Sequence, residues 1–361
     1  MRTPKQLTLD SRPFASEVPW ASWWCLISTL TLYATALTAA AGPWPWAVRL
    51  VGSVITGLTM VRLFIIFHDY EHGTILRKSL IAKVIMSIYG LLVLNPPGIW
   101  RRSHDHHHKN NSKISLINVG SFPIMTVREY NKASPSERIA YAMTRHPLTI
   151  ALGYFTVFLY GMCIRSFLAN PRAHYDSAVA IVVHYCMMAG LAWMGWDVLL
   201  LAGIIPSLLS AGLGSYLFYA QHNFPSVKLK TAAQWDYVSA AIQSSSFIEM
   251  SPVMHYFTGN IGYHHVHHLN HHIPFYRLPE AMAALEELNN PGRTSLRPRD
   301  VLACLRLKLW DDERDCLVPF PKSEPQAAPA PTKSAPKPLQ KTPQPSLAQS
   351  VADAVKPPLA D

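Results

Sequence analysis

Between residues 20 and 41 the chain runs for 22 residues without a charged side chain. At ~1.5 Å of rise per residue, a helix of that length crosses a ~30 Å hydrocarbon core. Ala39-Ala40-Ala41 resembles a signal-peptidase site, but the run exceeds the roughly 7–15 apolar residues of a signal sequence and follows a long polar leader, 1–19. It therefore reads as an uncleaved first span. After the turn Gly42-Pro43-Trp44-Pro45, residues 46–67 return across the membrane. Arg62 inside this second run is read as snorkelling to the interface, and the helix continues past it to carry His68 and His72.

Composition supports a membrane setting: 49% of residues are hydrophobic and 15% charged, against roughly 25% charged in soluble domains. The net charge of +10 would suit nucleic acid, yet the basic residues flank apolar segments and form no single stripe with interleaved aromatics. Basic flanks of that kind orient a chain in a bilayer. Five scattered cysteines with no C-x-x-C indicate neither a disulfide framework nor a thiolate metal site.

Histidine is where the chemistry gathers. Residues 264–272 hold six histidines in nine positions, and His264, His267 and His268 spell H-x-x-H-H. The same spelling recurs at His104, His107 and His108, and a looser H-x-x-x-H stands at His68 and His72. On a helix, positions i, i+3 and i+4 share a face, so each H-x-x-H-H is expected to present its three nitrogens to a common point. With His222 at the end of the last apolar run there are nine candidates, more than one four- to six-coordinate ion uses. Two metal ions sharing a pocket is the economical reading, with nitrogen donors alone leaving the metal open among iron, zinc, copper and nickel. Asp69, Glu71, Asp105, Gln221 and Asn260 are candidates to accept or support the second imidazole N–H, with an exposed helix-end charge the equal alternative for the three carboxylates. Outside the frame, His184 reads as a packed residue on a span and His146 and His174 as solvated loop residues. His106, His255, His265, His271 and His272 read as surface or supporting side chains.

One shared site restricts the topology. If residues 80–94 crossed, the first two clusters would face opposite sides, so this segment reads as re-entrant or interfacial. Of the apolar segments 148–164, 177–195 and 198–219, one must likewise stop short. Arg165 and Arg172 favour a cytoplasmic connector after the first of these, whereas 193–197 has no basic residue and is read as outside, so 148–164 is read as the one that dips, although a different pairing also satisfies parity. Residues 279–309 read as short soluble helices, 280–288 being the clearest. From residue 322 there are nine prolines in forty residues, a composition that reads as a disordered tail.

His68-Asp-Tyr-Glu-His72, Ser103-His-Asp-His-His-His-Lys-Asn110 and Gly259-Asn-Ile-Gly-Tyr-His-His-Val-His-His-Leu269, with Phe218-Tyr-Ala-Gln-His222 between the last two, resemble the membrane-bound fatty acid desaturases, in particular their acyl-lipid delta-12/omega-6-like branch. The resemblance covers about residues 63–278. It implies an all-α integral membrane protein with about four transmembrane helices, re-entrant or interfacial helices, and a cytoplasmic histidine-box di-iron cap, within a domain spanning 20–320. By position, the ligands of its two iron ions would be His68, His72, His104, His107, His108, His222, His264, His267 and His268. The implied reaction removes two hydrogens from adjacent methylenes of a membrane lipid's acyl chain, with O2 as co-substrate. No cytochrome- or flavin-like segment is visible, so the electron donor is expected to be a separate ferredoxin-like or cytochrome-like protein. One departure is that Tyr70-Glu71 stands where this branch has a small pair, which bears on regiochemistry and lipid class. The expected location is a bacterial inner membrane, with the histidine clusters and both termini cytoplasmic. Alternatives are a hydroxylase, epoxygenase or carotenoid-modifying oxygenase on the same scaffold and, from another class, a histidine-rich metal transporter. A transporter needs polar residues along a crossing path, whereas these histidines gather at span ends.

Overall fold

A computed structural model describes residues 2–114 and 121–321; the proline-rich tail expected from residue 322 lies outside them. Among the described residues four helices are long and apolar enough to cross a membrane, Pro19–Ala41, Trp46–Glu71, Tyr175–Met194 and Trp196–His222. The first two pack along one another, and Gly52 is where their backbones meet: a Cβ there would sit 2.8 Å from Ala40 N and 2.9 Å from Ala36 O. At the ends of the spans remote from the histidines, Arg49 ties three helices together. Its Nε donates to Ala40 O at 3.0 Å and its Nη1 pairs with Asp197 Oδ2 at 2.6 Å.

Arg62 corrects an expectation. It does not snorkel to an interface but is buried within the protein, where Nε donates to Thr29 Oγ1 at 3.1 Å, Nη1 donates to Tyr256 O, and the guanidinium lies 4.0 Å from the Tyr256 ring centroid. Protein oxygens and a π face take the place of water, so the charge joins the first two spans to the segment before the third histidine cluster.

Helices Leu80–Leu92 and Pro97–Asn110 form a pair bent by 89°. Gly90 permits the reversal, since a Cβ there would meet Asn95 O at 2.6 Å, and Pro97 starts the second helix. The bend lays the second histidine cluster beside the end of the second span. The segment 148–164 is divided into Pro147–Ala151 and a π-helical Tyr154–Arg165 that continues to Ala169, and Tyr154–Ala169 is shorter than any of the four long helices.

A cap of short elements closes over the histidine-bearing ends. Strand Ser246–Glu249 pairs in parallel with Gly292–Ser295, and Leu309–Asp311 lies between Met125–Thr126 and Cys316–Val318. The stretch 279–309 therefore holds a strand as well as the expected helices, and 280–288 is interrupted where Leu285 turns extended. The leader also folds: Thr3 caps helix Pro4–Asp10, Leu7 is buried, and Asn270 donates to Ser11 Oγ at 3.0 Å, which docks the leader on the third cluster.

Two cations lock the far side of the cap. Arg145 is fully buried, donating to Pro123 O at 2.8 Å, Tyr219 Oη at 3.1 Å and Asn223 Oδ1, while Lys308 Nζ donates to the carbonyl of Arg145. Burial, and then the neighbouring Arg145 guanidinium, pull the Lys308 ammonium down to about 8 from 10.5. Across that window the unfolded chain binds the extra proton, so this site makes stability rise with pH. Lys308→Met is expected to flatten the dependence of the unfolding midpoint on pH between about 8 and 10.5, measured in detergent for both proteins. An unchanged slope would mean that Lys308 titrates normally.

Candidate metal centre

Each histidine is placed by a helix end. The second span ends in His68-Asp69-Tyr70-Glu71 with His72 as its cap, Pro97–Asn110 carries His104, His107 and His108, the fourth span delivers His222, and the short helix His264–Leu269 supplies the last three. They converge into two groups, His68, His72, His104, His108 and His267 in one and His107, His222, His264 and His268 in the other, with the nitrogens of each group within 4.8 Å of one another. All nine sequence candidates are thus brought together.

Their division differs from expectation. Neither H-x-x-H-H points its three rings at one spot. His104 and His108 serve the first group and His107 the second, while His264 and His268 serve the second and His267 the first. At about 100° per residue, positions i and i+4 lie only about 40° apart, whereas i+3 diverges from i+4 by about 100°. Each cluster therefore splits between two neighbouring points, and the two groups share helices.

In the second group the Nε2 atoms close a ring: His222 to His264 2.9 Å, His264 to His268 3.0 Å, His268 to His107 3.2 Å and His107 to His222 3.0 Å. In the first they form a chain, His68 to His104 3.0 Å, His104 to His108 3.1 Å and His108 to His267 3.0 Å, and His72 Nε2 is buried without a hydrogen-bond partner. Hydrogen bonds alone cannot satisfy such a ring, because a neutral imidazole nitrogen offers either one N–H or one lone pair and here each has two neighbours. A cation held by the lone pairs does satisfy it. For a metal–nitrogen bond of ~2.1 Å, neighbouring donors of an octahedral ion stand ~3.0 Å apart and those of a tetrahedral ion ~3.4 Å. Each group therefore offers a nitrogen donor set that fits a metal ion.

The protonation states agree. Burial first, then the surrounding imidazoles, hold His264, His267 and His268 well below the usual imidazole range, in the neutral form that ligates metal. Two outer nitrogens are fixed as donors, His68 Nδ1 to Asp69 Oδ1 at 2.9 Å and His222 Nδ1 to Ser244 O at 2.9 Å, while His107 Nδ1 shares a hydrogen bond of 2.6 Å with the Ser121 hydroxyl. A proton on Nδ1 leaves the Nε2 lone pair free for the centre.

Of the five residues proposed for that supporting task, Asp69 alone performs it. Glu71 pairs with Arg101, with Nε to Oε2 at 2.9 Å, tying the first histidine helix to the second. Asp105 is exposed, Gln221 donates to Ile261 O at 3.1 Å, and Asn260 donates to Phe275 O at 3.2 Å from a backbone with φ +54°. Ser121 and Ser244 escaped sequence reasoning because a lone hydroxyl and a backbone carbonyl carry no spacing signal. Among the other histidines, His174 corrects an expectation: it is buried, not solvated, and its Nδ1 accepts from Arg102 Nη2 at 2.7 Å. His184 bridges Tyr154 Oη and Leu92 O at 2.6 Å each, and His265 Nε2 donates to Leu288 O at 3.1 Å. His146 caps a helix, His255 stacks on Phe247, His106 is half-buried and His272 is exposed. The His271 ring lies 4.9 Å from that of His72 yet joins neither group.

Beside the centre lies a cavity of about 410 Å³ whose lining includes His68, His104 and His264 together with Phe64, Trp100 and Phe158. Trp100 stacks on His104 at 4.5 Å, so wall and metal site are one packed unit.

Four long apolar helices, two polyhistidine groups at their ends and an apolar cavity alongside define an integral membrane protein with a nitrogen-donor site for metal. The model of the family described as "Fatty acid desaturase" matches residues 44–299, which takes in every one of the nine histidines, and the chain belongs to that family. It is 32% identical over 275 residues to the "Fatty acid desaturase" of Bacillus subtilis (strain 168), covering 74% of this chain and 76% of that protein. It is 22% identical over 252 residues to the "sn-1 oleoyl-lipid 12-desaturase" of Synechocystis sp., covering 67% and 70%. With the "Omega-6 fatty acid desaturase, chloroplastic" of Spinacia oleracea the identity is 21% over 323 residues, covering 84% and 68%. The family makes this protein an oxidoreductase of acyl desaturation.

Proposed function

We propose that the two histidine groups hold two iron ions, one each, and that the protein desaturates an acyl chain of a membrane lipid with O2 and electrons from a separate ferredoxin-like or cytochrome-like protein. The observation that carries this reading is the closed ring of four Nε2 atoms beside a second group of five histidines, both facing an apolar cavity. When bound, the irons supply the redox chemistry that activates O2 for removal of two hydrogens from neighbouring methylenes.

The chain's own residues do the rest. Asp69 and the Ser244 carbonyl keep His68 and His222 in the ligating tautomer, and Ser121 holds the His107 ring in place. Phe64, Trp100 and their neighbours exclude water and hold the substrate chain against His68, His104 and His264. An alkyl chain has no polar handle at the reacting carbons, so the wall decides which methylenes are presented. Basic residues beside the histidine-bearing ends, Lys109 and Lys113 among them, favour a cytoplasmic location for those ends and for both termini, in a bacterial inner membrane.

The test has two readouts. Purified protein is expected to carry about two irons per chain by elemental analysis, following the two groups. Host cells expressing it with a reductase and ferredoxin are expected to gain a double bond at one position in lipid-bound acyl chains, located by mass spectrometry. An oxygenated chain, or an unaltered profile from iron-loaded protein, would overturn the reading.

A further inference from the structure

Trp235 lies half-exposed on the cap, and its Nε1 donates to Asn111 O at 2.7 Å. Asn111 is the buried C-cap of the helix that carries His107 and His108, and its side-chain amide lies 3.5 Å from His268 Nδ1. A cation lies over the tryptophan ring, with Lys113 Nζ 4.1 Å from its centroid. Lys113 also reaches Asn110 Oδ1 at 3.0 Å and Lys109 O at 3.4 Å, and its backbone bridges that of Lys230. Lys109, Lys113 and Lys230 have no carboxylate within salt-bridge distance among the described residues. The adjacent Asp236 is turned to cap its own helix, accepting from Ser239 N at 2.9 Å.

We infer that the Trp235–Lys113 patch is the docking and electron-entry surface for a redox protein with an acidic face. The inference rests on the proposed reading of the site. Uncompensated lysines around a flat aromatic attract and orient an anionic partner, which raises the encounter rate and makes it sensitive to salt. From the ring, one hydrogen bond and one buried side chain lead to an imidazole of the four-histidine group. Each encounter moves one electron inward and oxidises the partner's reduced centre. Two encounters supply the two electrons of a turnover, and no bond is made or broken in the transfer.

The full-length protein in lipid nanodiscs, loaded with iron, is the material for the test, and an acidic plant-type [2Fe–2S] ferredoxin is the probe. Binding is measured by surface plasmon resonance at low and high salt, and reduction by stopped flow. Lys113→Glu is expected to weaken ferredoxin binding about tenfold at low salt, with the difference shrinking at high salt. Trp235→Phe keeps the ring and removes the N–H to Asn111, so binding is expected to persist while the ratio of ferredoxin-driven to dithionite-driven reduction falls several-fold. Lys132→Glu, the same charge change at an exposed position elsewhere, is expected to move neither. Wild-type binding and reduction ratios in both the Lys113 and Trp235 variants would overturn the inference. Should dithionite-reduced wild-type protein give no alkene with O2 and lipid, the desaturase reading fails, while the binding arm still decides the docking surface.

Discussion

Replacing His268 by alanine is expected to abolish desaturation and to halve the metal content, whereas replacing its buried neighbour His265 is expected to do neither. His268 closes the ring of the second group, with its Nε2 3.0 Å from that of His264 and 3.2 Å from that of His107. Its loss opens one side of a four-donor set and leaves three imidazoles that cannot enclose an ion alone. Metal affinity is expected to fall by more than the ~10–100-fold typical of losing a mere supporting partner. His265 is equally buried and three residues away, but its Nε2 is spent on Leu288 O, so His265→Ala removes a structural hydrogen bond and leaves that carbonyl unpaired. The expected cost is about 1–3 kcal/mol of stability with iron retained. Iron per chain and product yield, measured for both variants after normalising for folded protein, check the assignment. Equal loss in the two would mean that the cluster is structural and the ring is not the metal site.

That contrast marks how far residue spacing could be read. The spans at 20–41 and 46–67 were legible because an uncharged run of such length has few other places to go, and the i, i+4 spacing of His68 and His72 was enough to put both at one span end. The allotment of histidines between two groups was not legible. H-x-x-H-H shows that three rings lie on one side of a helix, but the roughly 100° between its last two members acquires meaning only once a second helix fixes where each ring can find partners. The burial of Arg62 is hidden from the sequence for a similar reason. A lone charge in a span suggests escape to water, and nothing local announces that Tyr256 and Thr29 arrive from remote segments to satisfy it. Ser121 and Ser244 are the same lesson at the site itself, since both act through folding that brings distant chain to the imidazoles.

Asp69 is where one substitution separates orientation from ligation. Its carboxylate is fully used, with Oδ1 accepting from His68 Nδ1 at 2.9 Å and Oδ2 accepting from Phe275 N at 2.7 Å. Both donors are buried, so neither finds water if the acceptor goes. Asp69→Ala strands two N–H groups at about 1–3 kcal/mol each and frees the His68 ring to turn. Asp69→Asn conserves shape but keeps only one acceptor oxygen, so its NH2 must face either the imidazole N–H or the backbone N–H of Phe275. If it faces the imidazole, His68 is driven toward the other tautomer, and its Nε2 then carries a proton where the first group needs a lone pair. Asp69→Ala is therefore expected to bind iron about 10–100-fold more weakly than wild type, and Asp69→Asn to lose less affinity and less thermal stability, because its amide oxygen can still accept from His68 when the NH2 turns to Phe275. Competition with a chelator gives the affinities and thermal unfolding of the same samples gives the stabilities. Wild-type iron affinity in Asp69→Ala would show that the carboxylate anchors the cap through Phe275 and has no part in aiming His68.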